Sequence, residues 1–153
     1  MKSLIIYVSD YKKNTEKIAK IFADKLNAEL VNIKDVNNID ITNYNLIGFG
    51  SGVYNESISP KLYKLADKFN LQDKDVFVFS TSGAGMKYYN NSLIKNLTSK
   101  GAINKGSFAC KGSFIASDFT DNKIFKFASR FSKGHPNEKD YREAVKFIEK
   151  IMD

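Results

Sequence analysis

Little in this chain can hold a metal or a disulfide. Its 153 residues include one cysteine, Cys110, and one histidine, His135. A single cysteine excludes an internal disulfide, and one of each excludes a Cys/His metal cluster. No metal site is expected, and without a disulfide framework a cytoplasmic location is the default. Tryptophan is absent and proline occurs twice. No apolar run approaches the roughly 20 residues of a membrane-spanning helix, so no span is expected. The opening Met-Lys-Ser-Leu-Ile-Ile-Tyr-Val is short, ends in polar residues and has no small-residue cleavage site; it is expected to belong to the fold. Acidic residues are also scarce, 17 against 24 Lys and Arg, for a net charge of +7. The deficit is concentrated between residues 100 and 133. There Lys100, Lys105, Lys111, Lys123, Lys126, Arg130 and Lys133 face only Asp118 and Asp121. Such a surface suits an acidic protein, a nucleic acid or an anionic membrane, although a solvated face without a partner accounts for it equally well.

The remainder reads as an ordinary globular chain, 42% apolar and 27% charged, of a length that suits a single domain over 1–153. Residues 3–8, Ser-Leu-Ile-Ile-Tyr-Val, form a nearly continuous apolar run, the pattern of a strand buried on both faces. A polar loop follows, and then Ile18, Ile21, Phe22 and Leu26 recur at helical spacing, with Asn14 or Thr15 as the expected N-cap and Glu16 in the first turn. The alternation repeats. Strands are expected at 28–33, 44–50, 75–80 and near 106–112. Helices are expected from Ser59-Pro60, around Leu93, Ile94 and Leu97, and from Asn137 just after Pro136. The last carries Tyr141, Ala144, Val145, Ile148 and Met152 on one face. Ile124, Phe127, Ala128 and Phe131 suggest one more short helix in the irregular stretch 113–136. Alternating strands and helices imply βαβ units and a parallel sheet. Five strands suit the doubly wound order 2-1-3-4-5.

In an open parallel sheet a ligand sits beyond the carboxyl ends of the strands, where the strand order reverses. Three loops fall there. Ser9 to Thr15 leads directly into a helix, whose N-terminal N–H groups and dipole suit a phosphate; Ser9, Asn14 and Thr15 add donors, and Lys12 and Lys13 add charge. Ordinary helix capping would use the same residues. Gly48 to Asn55 holds three glycines in five residues, which permits a close approach by a ligand, and Tyr54 offers a ring for stacking. Ser80-Thr81-Ser82-Gly83-Ala84-Gly85-Met86 is small enough to leave room for a flat heterocycle and to hydrogen-bond its edge.

Asn14-Thr15-Glu16-Lys17-Ile18-Ala19, Tyr44 to Tyr54 and Ser80-Thr81-Ser82-Gly83 together resemble the phosphate loop, third strand and two flavin loops of the flavodoxin family. Lys111-Gly112 and Gly134-His135-Pro136-Asn137-Glu138 are similar to late segments of that family. The resemblance covers nearly the whole chain. It implies a flavodoxin-like three-layer α/β/α sandwich with a five-stranded parallel sheet, bound FMN, and electron transfer between redox partner proteins; the basic charge of this chain leaves the partner class open, an acidic protein being one candidate. No nucleic acid is expected, and a monomer is. Carried over by position, the cofactor-binding residues are Ser9, Tyr11, Lys13, Asn14, Thr15, Ser51, Gly52, Val53, Tyr54, Asn55, Ser80, Thr81, Ser82, Gly83, Ala84 and Gly85. No catalytic residue is assigned. Two features depart from the family's pattern. Lys13 stands where glycine is usual, and no tryptophan is present to stack on the flavin, leaving Tyr54 for one face and Met86 or Tyr88 for the other.

Rival readings are few. A response-regulator receiver needs an aspartate ending strand three, where this chain has Gly48-Phe49-Gly50. A dinucleotide-binding turn needs glycines after strand one, and Ser9–Thr15 has none. The main alternative is a flavin-dependent reductase or oxidase, such as a flavodoxin-like protoporphyrinogen oxidase, acting on a small substrate or quinone. A docking module without redox activity is a third. Cys110 and His135 are read as structural.

Overall fold

The computed structural model describes residues 1–9, 13–35, 38–112 and 134–153. Tyr11, the basic phenylalanine-rich stretch 119–131 and the short helix expected at 124–131 lie outside them. The elements are β1 (Ser3–Val8), α1 (Asn14–Leu26), β2 (Glu29–Asn32), β3 (Leu46–Tyr54), β4 (Ser57–Ile58), α2 (Pro60–Ala66), β5 (Asp75–Ser82), α3 (Asn91–Ser99), β6 (Ile103–Lys111) and α4 (Glu138–Met152). Short 3-10 turns cover Ile33–Asp35 and Lys87–Asn90.

Five parallel strands line up as β2-β1-β3-β5-β6. With the two-residue β4 set aside, this is the expected 2-1-3-4-5 order. All six residues of β1 are buried, as a central strand covered on both faces requires. Alternation along the strands sorts side chains into two cores. On one face Ile6, Val8, Ile47, Phe49, Val76 and Val78 meet Leu62 and Leu65 of α2 and Leu93 and Leu97 of α3. On the other, Ile5, Phe77, Phe79 and Phe108 meet Ile18 and Phe22 of α1 and Ile148 of α4. The second core is aromatic. Phe22 stands edge-on to Phe77, Phe79 and Phe108 at centroid distances of 5.6, 5.0 and 5.7 Å, the arrangement that ring quadrupoles prefer. Phe147 of α4 joins this cluster, whereas Met152, expected on the buried stripe, is about half exposed.

Two helix starts follow local chemistry. Ser59 accepts from Lys61 N–H ahead of Pro60 at the first helical position. Asn137 and Asp140 form a reciprocal capping box on α4. The start of α1 differs from the expectation of an Asn14 or Thr15 cap. Lys13 occupies the N-cap in a left-handed conformation, φ 55°, and supplies no capping side chain. A left-handed residue there turns the chain from the loop into the helix, which explains why glycine would suit the position.

The third strand also runs further than its glycines suggest. Leu46–Tyr54 is continuous strand, and its parallel pairing with β5 reaches Gly52 opposite Thr81. Gly48 and Gly50 therefore lie in the sheet, not in a loop. A Cβ on Gly48 would stand 2.4 Å from the Phe77 ring, and one on Gly50 2.1 Å from the Phe79 ring. These glycines make room for the aromatic core and do not reach a ligand. The turn comes later. Asn55 and Glu56 both have positive φ, 50° and 64°, and close a two-residue hairpin between β3 and β4, the form that matches strand twist.

Candidate functional site

The carboxyl ends of β1, β3, β5 and β6 converge on one rim, and α1 begins there. Three contacts build its floor. Ser9, at the end of β1, accepts from the Glu16 N–H at 3.3 Å, so a residue outside the helix supplies the cap that Lys13 does not. Thr15 Oγ1 and Thr81 Oγ1 lie 2.8 Å apart in a buried contact, which joins α1 to the end of β5. Gly112, just past β6, packs on Asn14, and a Cβ there would come within 2.8 Å of Asn14 Nδ2. The amides of Asn14 and Thr15 are among those that a helix leaves without an intrahelical acceptor. The first turn thus presents N–H groups and the Thr15 hydroxyl beside the exposed Lys13 at the positive end of the helix dipole. An anion with several acceptor oxygens fits this donor set.

Glu16 is the one acid in that turn, and it faces the sheet. Its Oε1 accepts from Tyr7 Oη at 2.8 Å. Burial, with the carboxylate close by, pushes the Tyr7 hydroxyl up to about 12, so Tyr7 stays a donor at neutral pH. The pair anchors the carboxylate to β1. Its members are nine residues apart, and only the register of α1 on the sheet brings them together.

The loop after β5 is pinned by one side chain and one carbonyl. Ser82 Oγ accepts from Gly85 N–H at 2.7 Å, and Ser82 O accepts from Gly112 N–H at 2.9 Å. Gly85 has φ +66°, and a Cβ there would press on the Lys111 backbone N at 3.0 Å; any other residue would push the loop off β6. Gly83 is half-buried and Ala84 exposed. Beyond them Met86 and Tyr88 are 48% and 70% exposed, and the 3-10 turn carrying Tyr88 packs beside β4.

The sequence-derived residues thus separate by what their side chains do. Ser9, Lys13, Asn14 and Thr15 gather at the start of α1, and Thr81 stands behind Thr15. Ser82, Gly83, Ala84 and Gly85 form the second loop. Gly52, Tyr54 and Asn55 lie at the top of the β3–β4 hairpin, and a Cβ on Gly52 would meet the Tyr54 hydroxyl at 3.0 Å, so the ring folds back over that glycine. Ser51 is fully buried. Its hydroxyl donates to Gly52 O at 2.5 Å and accepts from Ser59 N–H at 3.1 Å, which commits it to the turn into α2. Val53 packs on the aliphatic core. Ser80, opposite Ser51 in the sheet, points to that same face, and its hydroxyl has no partner among the described residues. Two contributors were not singled out as site residues. Tyr7 reads as core from its apolar neighbours. Gly112 carries a signal in the Lys111-Gly112 pair, but nothing local ties it to Asn14.

The only cysteine is buried beneath α4. Burial pushes the Cys110 thiol well above its ordinary range, which holds it protonated and unreactive. Among the described residues, no cluster of His, Cys, Asp or Glu could hold a metal ion, and no helix is long and apolar enough to cross a membrane.

Comparisons with known proteins agree with this fold. A family model described as a flavodoxin domain matches residues 4–137. The protein MJ0298 of Methanocaldococcus jannaschii is 42% identical over 154 residues, covering 99% of both chains. Oxidised flavodoxin 1 of Bacillus cereus superposes with a TM-score of 0.68 at 19% identity, over 99% of this chain and 97% of that one. A flavoprotein of Lactobacillus acidophilus NCFM in complex with FMN gives a TM-score of 0.58 at 22% identity, over 69% of this chain and 91% of that one.

Proposed function

The chain belongs to the flavodoxin family, and on that footing we propose that it holds one FMN and carries electrons between redox partner proteins in the cytoplasm. The observation that carries this reading is the start of α1. Its first turn lacks a cap from Lys13, faces the rim, and adds the Thr15–Thr81 hydroxyls to its amides. In this reading the phosphate is held by the amides of Asn14 and Thr15, the Thr15 hydroxyl and the Lys13 ammonium. The ring system lies between the β3–β4 hairpin and the Ser82–Gly85 loop, with Tyr54 on one side and Met86 or Tyr88 on the other. Bound FMN supplies the one- and two-electron chemistry; the chain orients the ring and sets the electrostatics around it.

Tying Glu16 to Tyr7 serves the same end, because it turns the carboxylate of the first turn toward the sheet. Cys110 supports a carrier over an enzyme with a thiol step, since its thiol stays protonated. The net charge of +7 favours an acidic partner, met by electrostatic steering that salt would screen over about 8 Å at physiological ionic strength. Two measurements test the reading. Reconstituted protein should bind FMN more tightly than riboflavin; equal affinities would remove the phosphate site. Anaerobic reductive titration, followed spectroscopically, should resolve two separate one-electron steps. A single two-electron passage would favour the reductase or oxidase alternative.

A further inference from the structure

The contact between Thr15 and Thr81 is a pair of hydroxyls, and hydroxyls are best counted by their protons. The two residues are 2% and 4% exposed, and their Oγ1 atoms lie 2.8 Å apart. Each carries one proton, and the mutual bond uses one of them. Neither hydroxyl has a second partner among the described residues. Whichever way the mutual bond runs, one O–H is left to donate elsewhere. A buried donor without an acceptor is costly. Among the described residues no group accepts that proton, and an added acceptor would complete the pair.

Position decides which proton that group meets. Thr15 is the second residue of α1, a helix of 13 residues, where amides and dipole both favour an anion. Thr81 stands behind it, its backbone fixed in the sheet between Gly52 and Cys110. An anion at the start of the helix meets Thr15 and not Thr81. We propose that Thr81 is a positioning residue for phosphate recognition: it donates to Thr15, and Thr15 donates to the phosphate. This rests on the FMN reading and adds a proton order to it. Thr15, as an acceptor, cannot rotate its own proton back toward Thr81, and accepting one hydrogen bond strengthens the one it donates. The ligand must then be an acceptor at that point, which an ionised phosphate is and the bare ribityl hydroxyl of riboflavin need not be. The arrangement also links the α1 start to the end of β5, 66 residues away.

The experiment is a set of equilibrium dissociation constants for FMN and for riboflavin. It uses the unmodified protein, Thr81→Val, Thr81→Ser, Thr15→Val and the Thr15→Val/Thr81→Val double variant, each checked for native circular dichroism. Valine keeps the shape of threonine and removes its hydroxyl. Thr81→Val is expected to reduce the preference for FMN over riboflavin by about 3- to 10-fold, and Thr81→Ser to restore it. In the Thr15→Val background, removing the Thr81 hydroxyl should change nothing further, because Thr81 acts through Thr15. An undiminished preference in Thr81→Val overturns the proposal. So does an additive loss in the double variant, which would make Thr81 a direct contact, and so does an equal loss for both ligands, which would make it a brace for the second loop. An unmodified protein that does not distinguish FMN from riboflavin overturns the FMN reading itself, a result separate from these three.

Discussion

At the base of the sheet, where the strands begin, Lys74 Nζ donates to the carbonyls of Ile41, Thr42 and Tyr44 at 3.1, 3.0 and 2.7 Å. At the rim, where the strands end, Thr15 and Thr81 share one hydrogen bond between two donors. The base is held by many internal hydrogen bonds, although the buried Ser3 hydroxyl there has no partner among the described residues. Tyr44 donates to Glu29, the Lys2 ammonium lies over the Tyr44 ring, and Lys2 N–H reaches Asn45 Oδ1 at 3.0 Å. Backbone bonds from Asn45 to Lys2, from Asp75 to Asn45 and from Ile103 to Lys74 tie the starts of four strands together. At the rim the cap of α1 comes from Ser9 and not from Lys13, and one hydroxyl proton of the Thr15–Thr81 pair has no acceptor among the described residues. Both ends carry lysines and small polar residues, so composition does not separate them. What separates them is where the surplus falls: at the rim the spare O–H of the Thr15–Thr81 pair lies beside the start of α1, where amides and helix dipole favour an anion.

The largest expected effect is at the rim. Thr15→Ala removes a hydrogen bond to a charged acceptor, worth about 1.5–3 kcal/mol, and should weaken FMN by about 10- to 150-fold. Riboflavin affinity should change little. If both ligands weaken alike, Thr15 is a structural contact like those of the base, and the contrast between the two ends fails.

Lys74→Met tests the other side. It strips the donor from three carbonyls and should cost about 1–3 kcal/mol in urea unfolding, while the ratio of FMN to riboflavin affinity stays at its normal value. A changed ratio would show that base and rim are coupled through the sheet.

A third effect depends on pH. Hydrogen bonding to Glu29, with burial, raises Tyr44 to about 12 from an ordinary 10.0, and Tyr7 behaves in the same way at the rim. A raised folded-state value favours the neutral hydroxyl. The stabilisation is therefore complete below pH 10 and is lost as pH climbs toward about 12. Tyr44→Phe should lose stability near neutrality and show a shallower decline across that window than the unmodified protein, as read by unfolding midpoints at successive pH values.

The smallest effect is at Lys13. A left-handed lysine carries strain that glycine does not, partly offset by the greater chain entropy of glycine. Lys13→Gly should therefore stabilise the ligand-free protein by about 0.5–1 kcal/mol. A loss of stability would mean that the lysine side chain holds the loop.

Much of the fold could be read from residue order. The buried run at 3–8, the Ser59-Pro60 start and the Asn137 start each depend on neighbours within a turn of chain, and each lies where the periodicity places it. The rim segments were legible for the same reason, since a polar loop running into a helix is a local pattern. The roles of the glycines were not. Gly48 and Gly50 look like a ligand loop along the chain, yet it is Phe77 and Phe79, on a strand paired alongside, that forbid a side chain there. The β3–β4 hairpin escaped notice because Asn55-Glu56 lacks the glycine that usually marks such a turn.

By itself the sequence determined the succession of strands and helices, the two apolar faces and the polar stretch that leads into α1. Each follows from hydrophobic period and helix-end chemistry, which act over a few residues. Tertiary structure alone decided that Thr15 finds Thr81, that Glu16 turns to Tyr7, that Gly112 closes on Asn14 and that the Ser51 hydroxyl is used inside the turn to α2. Those pairings join residues that only sheet order and helix docking bring together, and a hydroxyl's role is set by which neighbour takes its proton.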